Sequence, residues 1–322
     1  MERSRSPRAG LLRLAPLLVA AQMFSTPVFA ETIKLVVPFA AGGPVDQLAR
    51  ILTPELASLL KADVIVDDRG GAGGAIGSEL VAHAAPDGDT VLLASMGSQI
   101  LSPILKPPTT YDPEKSFVPV VMVATMPSLL VVSHALGVSD MKGLLAKAKA
   151  QKLTYGSAGP GTTMNIALEM LNSAAGVKIT HVPYRGAAPA INDLLGGHVD
   201  MLNADLPVLL PPVKAGSVTP IALFAPERTP LLPDLPTTKE LGLPTVVMES
   251  WYGTFLPAGT SPQIRDRLEQ ALLAVVATPA VKARFAELGM HGTLGHDAFG
   301  ARLKQDFANW PGIIKTLGIT GE

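Results

Sequence analysis

Short apolar runs alternate along this chain with longer stretches in which apolar residues return every three or four positions. Ile33-Lys34-Leu35-Val36-Val37 has the length and branching of a buried strand, and Pro38 ends it. Gly42-Gly43-Pro44 follows. Pro44 suits the first position of a helix, where its missing N–H is not needed. Leu48, Ile51, Leu52, Leu56, Leu59 and Leu60 then share one helical face. Val64–Val66 predicts a short strand, Gly70–Gly77 a glycine-rich turn, the residues up to about Ala85 a helix, and Thr90–Ser95 a strand. The apolar run Phe117–Ser133 reads as one long strand or as two split near Met126-Pro127.

The alternation then begins again. Leu153–Gly156 predicts a strand, Gly159-Pro160-Gly161 a loop, and Thr162–Ala175 a helix with Met164, Leu168, Leu171 and Ala175 on one face, closed by Gly176. Ile179–Tyr184 is a strand, Ala187–Leu195 a helix stopped by Gly196-Gly197, and Val199–Leu202 and Val218–Phe224 are strands. Pro226–Pro244 is proline-rich loop, and Val246–Leu256 is apolar again. Three helices complete the chain: Pro262–Ala277, Pro279–Leu288 and Asp297–Leu317. Strand–helix–strand order of this kind predicts parallel α/β layers. The last helices have no sheet of their own and are expected to fold back onto the first block. That gives a discontinuous lobe 1 of residues 31–128 and 250–322, a lobe 2 of residues 129–249, and two crossovers near Ser128 and Ser250 serving as hinges.

The first 30 residues depart from this pattern. Arg3, Arg5, Arg8 and Arg13 precede an apolar Leu14–Phe24, and Val28 and Ala30 are small residues two apart. This is the layout of a secretory signal cut after Ala30. Its apolar stretch, interrupted by Pro16, is short for a membrane span. Cysteine is absent, which excludes thiol catalysis, disulfides, cysteine-ligated metal and a lipid-modified cysteine. The 26 basic residues against 27 acidic ones exclude a nucleic-acid grip. Hydrophobic residues at 48% of 322 are ample for a large core. The expected product is a periplasmic, monomeric protein.

Candidate chemistry centres on two glycine-bearing strand-to-helix junctions, Phe39–Asp46 and Gly156–Thr163. Glycine lets main-chain N–H groups converge, and a helix start carries partial positive charge, so each junction is a candidate anion site or a plain tight turn. One per lobe could hold the two ends of a diacid. The expected ligand-binding residues are Phe39, Gly42, Gly43, Asp46, Ser95, Ser98, Ser157, Gly159, Gly161, Thr162, Thr163, Tyr184, Asn203 and Asp205, with no catalytic residue, metal or cofactor. Asp46 also suits the helix dipole and can reach Arg50. Asn203 and Asp205 end a strand on the expected cleft side, where parallel sheets bind their ligands. Arg185 is either an anion partner or a solvated surface residue.

Arg69–Gly77 fails the G-x-G-x-x-G spacing, because Ile76 stands where the last glycine belongs, and reads as a turn that packs the lobes. Ser157 lies in Gly-Ser-Ala-Gly, which is not a nucleophile elbow. His181 alternates with Val182 at a strand end, a structural position. His291 and His296, five apart, fall short of a metal signature. A secreted hydrolase using Ser157 and a ligand sensor without a transport role stand as alternatives.

Several stretches, in order, resemble the Bug-type receptors, the extracytoplasmic solute-binding components of tripartite tricarboxylate transporters. They are Val37-Pro38-Phe39 through Gly42-Gly43, Asp46 and Ala49-Arg50; Gly71-Ala72-Gly73-Gly74; Ala85-Pro86-Asp87-Gly88; Tyr155–Gly159; His181–Tyr184; Asp193–Gly197 with Val199-Asp200; Pro233–Thr237; and Trp251 with Pro257–Thr260. The resemblance covers residues 31–322. It implies an α/β, two-lobed periplasmic-binding-protein type II (Venus flytrap) clamp. It also implies membrane transporter subunits as partners, and a ligand carboxylate held by main-chain amides and bridging waters at the two junctions. The guest would be a small organic acid: a di- or tricarboxylate, an aromatic acid or an acidic amino acid. Two departures stand out. Asn203-Ala204-Asp205 replaces the family's aromatic-Asp-Asn group, which changes the polarity of the cleft wall, and Gly70 stands where proline is usual.

Overall fold

In a computed structural model, residues 1–2, 32–105 and 110–319 are described. The expected leader, 1–30, lies almost wholly outside them. Strands are β1 Thr32–Val37, β2 Asp63–Asp68, β3 Thr90–Ser95, β4 Phe117–Val132, β5 Thr154–Ser157, β6 Thr180–Pro183, β7 Met201–Asp205, β8 Thr219–Leu223 and β9 Glu249–Pro257. Helices are α1 Pro44–Leu60, α2 Ala75–Ala82, α3 Ser102–Leu105, α4 Met141–Ala150, α5 Thr163–Ala175, α6 Ala187–Leu195, α7 Leu206–Lys214, α8 Pro262–Ala277, α9 Pro279–Leu288 and α10 His296–Leu317.

The sheet runs β2-β1-β3-β9-β4-β7-β5-β6, with β8 against β4. β1, β2 and β3 pair in parallel, as do β5, β6 and β7. β4 and β9 run antiparallel to their neighbours and join the two parallel runs. The run Phe117–Val132 is one continuous strand, not two. It changes partner at Pro127: Pro127 still lies opposite Glu249 of β9, while Ser128 lies opposite Asp205 of β7. A proline has no N–H for a ladder, and here it stands where the pairing switches. The Ser128 hydroxyl donates to the Met248 carbonyl at 3.0 Å and ties the two crossing segments together.

Helix faces follow the apolar spacing. Leu48, Ala49, Leu52 and Leu56 of α1 are buried, and Lys61 ends the helix in the left-handed region at φ 54°. The C-terminal helices do fold back: α8 packs on α1 and β4, and α10 on β4. The segment 291–294 bridges β4 at Met122–Leu294 and Thr125–His291. Trp251, Phe255 and Phe299 form a tilted and edge-on aromatic cluster with centroids 5.2–6.2 Å apart. The Trp251 indole N–H donates to Asp306 of α10 at 2.7 Å, and Asp306 also accepts from Arg302. A buried indole needs such an acceptor.

Candidate functional site

The junctions after β1 and β5 share one local device. Gly42 and Gly161 each stand two residues before the first helical residue, at φ +82° and +78°, values that strain a side-chain-bearing residue. In each junction the third residue of the helix reaches back to that glycine. The Gly42 N–H donates to Asp46 Oδ2 at 2.7 Å, and the Gly161 N–H donates to Asn165 Oδ1 at 3.0 Å. Two of the glycine N–H groups are therefore consumed in shaping the turns. The donors left over lie one step further on. A helix cannot satisfy its first N–H groups internally, and no acceptor is assigned to the N–H groups of Val45, Thr163 and Met164 among the described residues.

These helix starts meet in one cavity of about 30 Å³, lined by Phe39, Gly43, Pro44, Val45, Ser95, Ala158, Thr162, Thr163, Met164, Ala187, Asp205 and Tyr252. The volume holds little more than water. The lining has no lysine, arginine or histidine, and its one charged residue is Asp205, 3% exposed. Tyr252 donates its hydroxyl to Asp205 Oδ2. Burial pushes the Asp205 carboxyl up to about 6, with the Tyr252 and Ser250 hydroxyls pulling it back down. Burial, then the Asp205 charge, pushes the Tyr252 phenol up.

Glycines bring the two sides of the cavity together. A Cβ on Gly73 would meet the Pro160 carbonyl at 2.7 Å, one on Gly161 the Cα of Ser102 at 2.6 Å, and one on Gly97 the Thr163 nitrogen at 3.0 Å. Gly70 lies against Phe39, Ala40 and the Arg185 carbonyl in the same way. The Arg69–Gly77 turn is thus a packing element between the segments that carry the two junctions, and its glycines permit main chain to approach main chain.

Of the expected binding residues, Phe39, Gly43, Ser95, Thr162, Thr163 and Asp205 line the cavity. Gly42 and Asp46 shape the first turn. Asp46 also pairs with Arg50 at 2.8 Å, and that contact raises the Arg50 pKa. Ser98 donates its hydroxyl to the Ser95 carbonyl at 3.1 Å and supports that strand end. Gly159 accepts from the Thr162 hydroxyl at 2.7 Å. Tyr184 is turned to Asp193 at 2.5 Å, with its phenol pushed up to about 12 by burial and then by that carboxylate. Asn203 is buried, does not line the cavity, and has both ends of its amide unpaired. The Arg185 side chain is exposed. Ser157 is fully buried and its Oγ lies 2.6 Å from His181 Nε2, a contact the sequence did not suggest. The same Oγ accepts from the Gly159 N–H at 3.0 Å, and the His181 ring stacks on Tyr155. Val45, Met164, Ala187 and Tyr252 escaped the sequence reading. Val45 and Met164 line the cavity at the two helix starts, and Tyr252 is brought in by β9 from far along the chain. Among the described residues, no set of three or more histidine and acidic side chains gathers as a metal site, and no helix is long and apolar enough to cross a membrane.

The comparisons converge on one family. The family model described as "Tripartite tricarboxylate transporter family receptor" matches residues 48–319. The solved periplasmic binding protein BugD is 34% identical, with a TM-score of 0.87 covering 90% of this chain and 99% of BugD. Rpa4515 of R. palustris, solved with adipate, is 31% identical, with a TM-score of 0.86 over 90% of this chain and 98% of its own. MatC of Rhodopseudomonas palustris, solved with malate, is 31% identical, with a TM-score of 0.84 over 90% and 100%. The fold is that of periplasmic binding proteins.

Proposed function

The chain belongs to the tripartite tricarboxylate transporter family of receptors, and from that premise we propose that it captures a small organic acid between its two strand-to-helix junctions and delivers it to membrane transporter subunits. The observation that carries the proposal is the meeting of two helix starts, with donors to spare, in one cavity. Helix starts favour anions through both their free N–H groups and their dipole. The N–H groups of Val45, Thr163 and Met164 and the Thr163 hydroxyl hold the carboxylate, and Phe39 packs on the carbon skeleton. Ser95 adds a hydroxyl at the third wall. Solved relatives hold adipate and malate, both carboxylates.

The 30 Å³ cavity is too small for such a guest, so the walls part to admit it. Lobe 1 (31–128 and 250–322) and lobe 2 (129–249) open about the crossovers near Ser128 and Ser250, and the ligand favours the closed state because only there do both junctions reach it. The leader is removed after Ala30 and the protein works as a monomer in the periplasm. A thermal-shift screen of mono-, di- and tricarboxylates, aromatic acids and amino acids tests the reading. A ligand of the folded form raises the melting temperature. Stabilisation by sugars or amines alone, with no acid active, overturns it.

The 2.6 Å contact of Ser157 with His181 favours one rival, a hydrolase. A nucleophile must be reached by substrate, and Ser157 is fully buried with its Oγ engaged to Gly159. The pair instead braces the second junction. Ser157→Ala separates the readings: the receptor shows no ester or amide turnover before or after the change and loses only affinity, whereas a hydrolase loses turnover.

A further inference from the structure

Resting on the receptor reading above, we propose that Glu169 is a positioning residue for the bound acid. Through the single proton of Tyr155 it decides which way the Asn165 amide faces, and so whether the second junction keeps its shape. Neither Asn165 nor Glu169 lines the 30 Å³ cavity. Both line instead a groove of about 450 Å³, together with Asn172 and His181. The Gly161 N–H at the junction needs an acceptor, and Asn165 Oδ1 supplies it at 3.0 Å. An amide also has a donor end, and turned over it would present N–H to N–H. The first junction is free of that hazard, because the Asp46 carboxylate has only acceptors to offer the Gly42 N–H.

A chain of directed hydrogen bonds fixes the amide. It starts at main chain: Asn172 donates from Nδ2 to the Ile179 carbonyl at 3.2 Å and accepts from the Ile179 N–H at Oδ1 at 3.1 Å, which sets its orientation. The same Nδ2 donates to Glu169 Oε2 at 3.3 Å, and Glu169 Oε1 accepts from the Tyr155 hydroxyl at 2.5 Å. Only a carboxylate accepts at both ends. Tyr155 is fully buried, and burial followed by the Glu169 charge pushes its phenol up, so it keeps its one proton. With that proton given to Glu169, the phenol oxygen accepts from Asn165 Nδ2 at 2.7 Å. The Asn165 oxygen is thereby turned to Gly161. A glutamine in place of Glu169 breaks the direction. Its oxygen is claimed by Asn172 and its amide donates to Tyr155. The buried phenol proton then finds an acceptor only if Asn165 turns over and strands the Gly161 N–H.

An isosteric swap tests this. Glu169→Gln and Asn165→Asp are made singly and together, and each protein is measured in two ways at pH 8. Hydrogen exchange of the Gly161 amide in the ligand-free protein reports the turn. Calorimetric titration with succinate, malate, adipate and citrate reports affinity. Glu169→Gln alone is expected to speed Gly161 exchange and to weaken the best-binding acid, each by about tenfold or more, with exchange in the middle of α5 unchanged. Asn165→Asp alone weakens binding as well, because two carboxylates then compete for one phenol proton. Together the two changes restore both measurements to within about threefold of the parent. The glutamine donates to Tyr155, Tyr155 donates to the new carboxylate, and that carboxylate accepts from Gly161. Simple losses of packing would add instead, making the double variant the worst of the three. The proposal is overturned if Glu169→Gln leaves Gly161 exchange unchanged, or if the double variant is no better than the worse single one. Should Asn165→Asp not fold, Glu169→Gln on a Tyr155→Phe background decides: with no phenol to direct, it must leave Gly161 exchange where Tyr155→Phe alone puts it. If acids bind and the exchange pattern is absent, the positioning role fails and the receptor reading stands. If no acid binds the unaltered protein, the receptor reading fails and the positioning role falls with it.

Discussion

The junction after β1 and the junction after β5 are built on one plan and equipped differently. Both place a left-handed glycine two residues before the helix, and in both the third helical residue accepts that glycine's N–H. In the first, the helix begins on Gly43, which has no side chain to cap with, and on Pro44, which has no N–H. In the second, Thr162 caps the helix through its hydroxyl, and Thr163 and Met164 both keep an N–H to offer. The first junction instead brings Phe39. One side is thus equipped for shape and the other for charge.

The sharpest way to break the comparison is at Gly161. A Cβ there meets the Cα of Ser102 at 2.6 Å, main chain that cannot step aside, and the φ of +78° adds strain. Gly161→Ala is expected to weaken ligand binding by more than 100-fold, about 3 kcal/mol. Gly176→Ala, at φ +61° in open space, is the control. It costs only the backbone strain of about 1 kcal/mol in thermal unfolding and leaves affinity intact. Equal affinities for the two variants would show that the Gly161–Ser102 approach is no part of the bound state.

Asp205 gives the next effect. Its folded pKa of about 6 lies above the ordinary 3.8, so between those pH values the folded chain binds a proton that the unfolded chain has released. The Asp205 contribution to stability is therefore greatest below about pH 4, falls as pH rises towards 6, and levels off above, lower by about 3 kcal/mol. Asp205→Asn is expected to remove that fall, leaving the ligand-free variant more stable than the parent by roughly 2–3 kcal/mol at pH 8 in urea unfolding. A stability difference between parent and variant that stays constant from pH 4 to 7 would refute it.

Asn165→Ala is expected to cost about 2 kcal/mol, because it strands the Gly161 N–H and removes the donor to the buried Tyr155 hydroxyl at 2.7 Å. Asp46→Ala strands only the Gly42 N–H and is expected to cost about 1 kcal/mol. Arg50→Ala is the smallest change, below about 1 kcal/mol, since the Arg50 side chain is 58% exposed in its pair with Asp46. Reversal of the first two in denaturant unfolding would mean that the first turn, not the second, is the better braced.

Much of the fold is legible in the sequence where punctuation is local. Pro262 and Pro279 open α8 and α9, and glycines close α5 and α9. The strand Phe117–Val132 was ambiguous because Pro127 marks a change of partner rather than an end. Leu206–Lys214 drew no assignment, since Pro207, Pro211 and Pro212 mask a helix that follows Asp205 as its N-cap and carries Pro207 in its first turn. The two junctions were legible as glycine-rich turns. Which N–H groups they leave free was not, because that depends on where Asp46 and Asn165 direct their side chains. The partnership of Asp205 with Tyr252 was also hidden, since it joins β9 to the end of β7, and no spacing rule connects residues that distant.

The continuous β4 constrains any relative motion of the parts it connects. A strand that trades neighbours partway along would ordinarily forfeit a rung of its ladder when twisted at that point. Here the rung is Pro127, which has no donor to surrender. The exchange of neighbours therefore costs β4 no main-chain donor at that rung, and the adjoining Ser128 hydroxyl and carbonyl, bonded to Met248 and Phe224, hold the crossing in place.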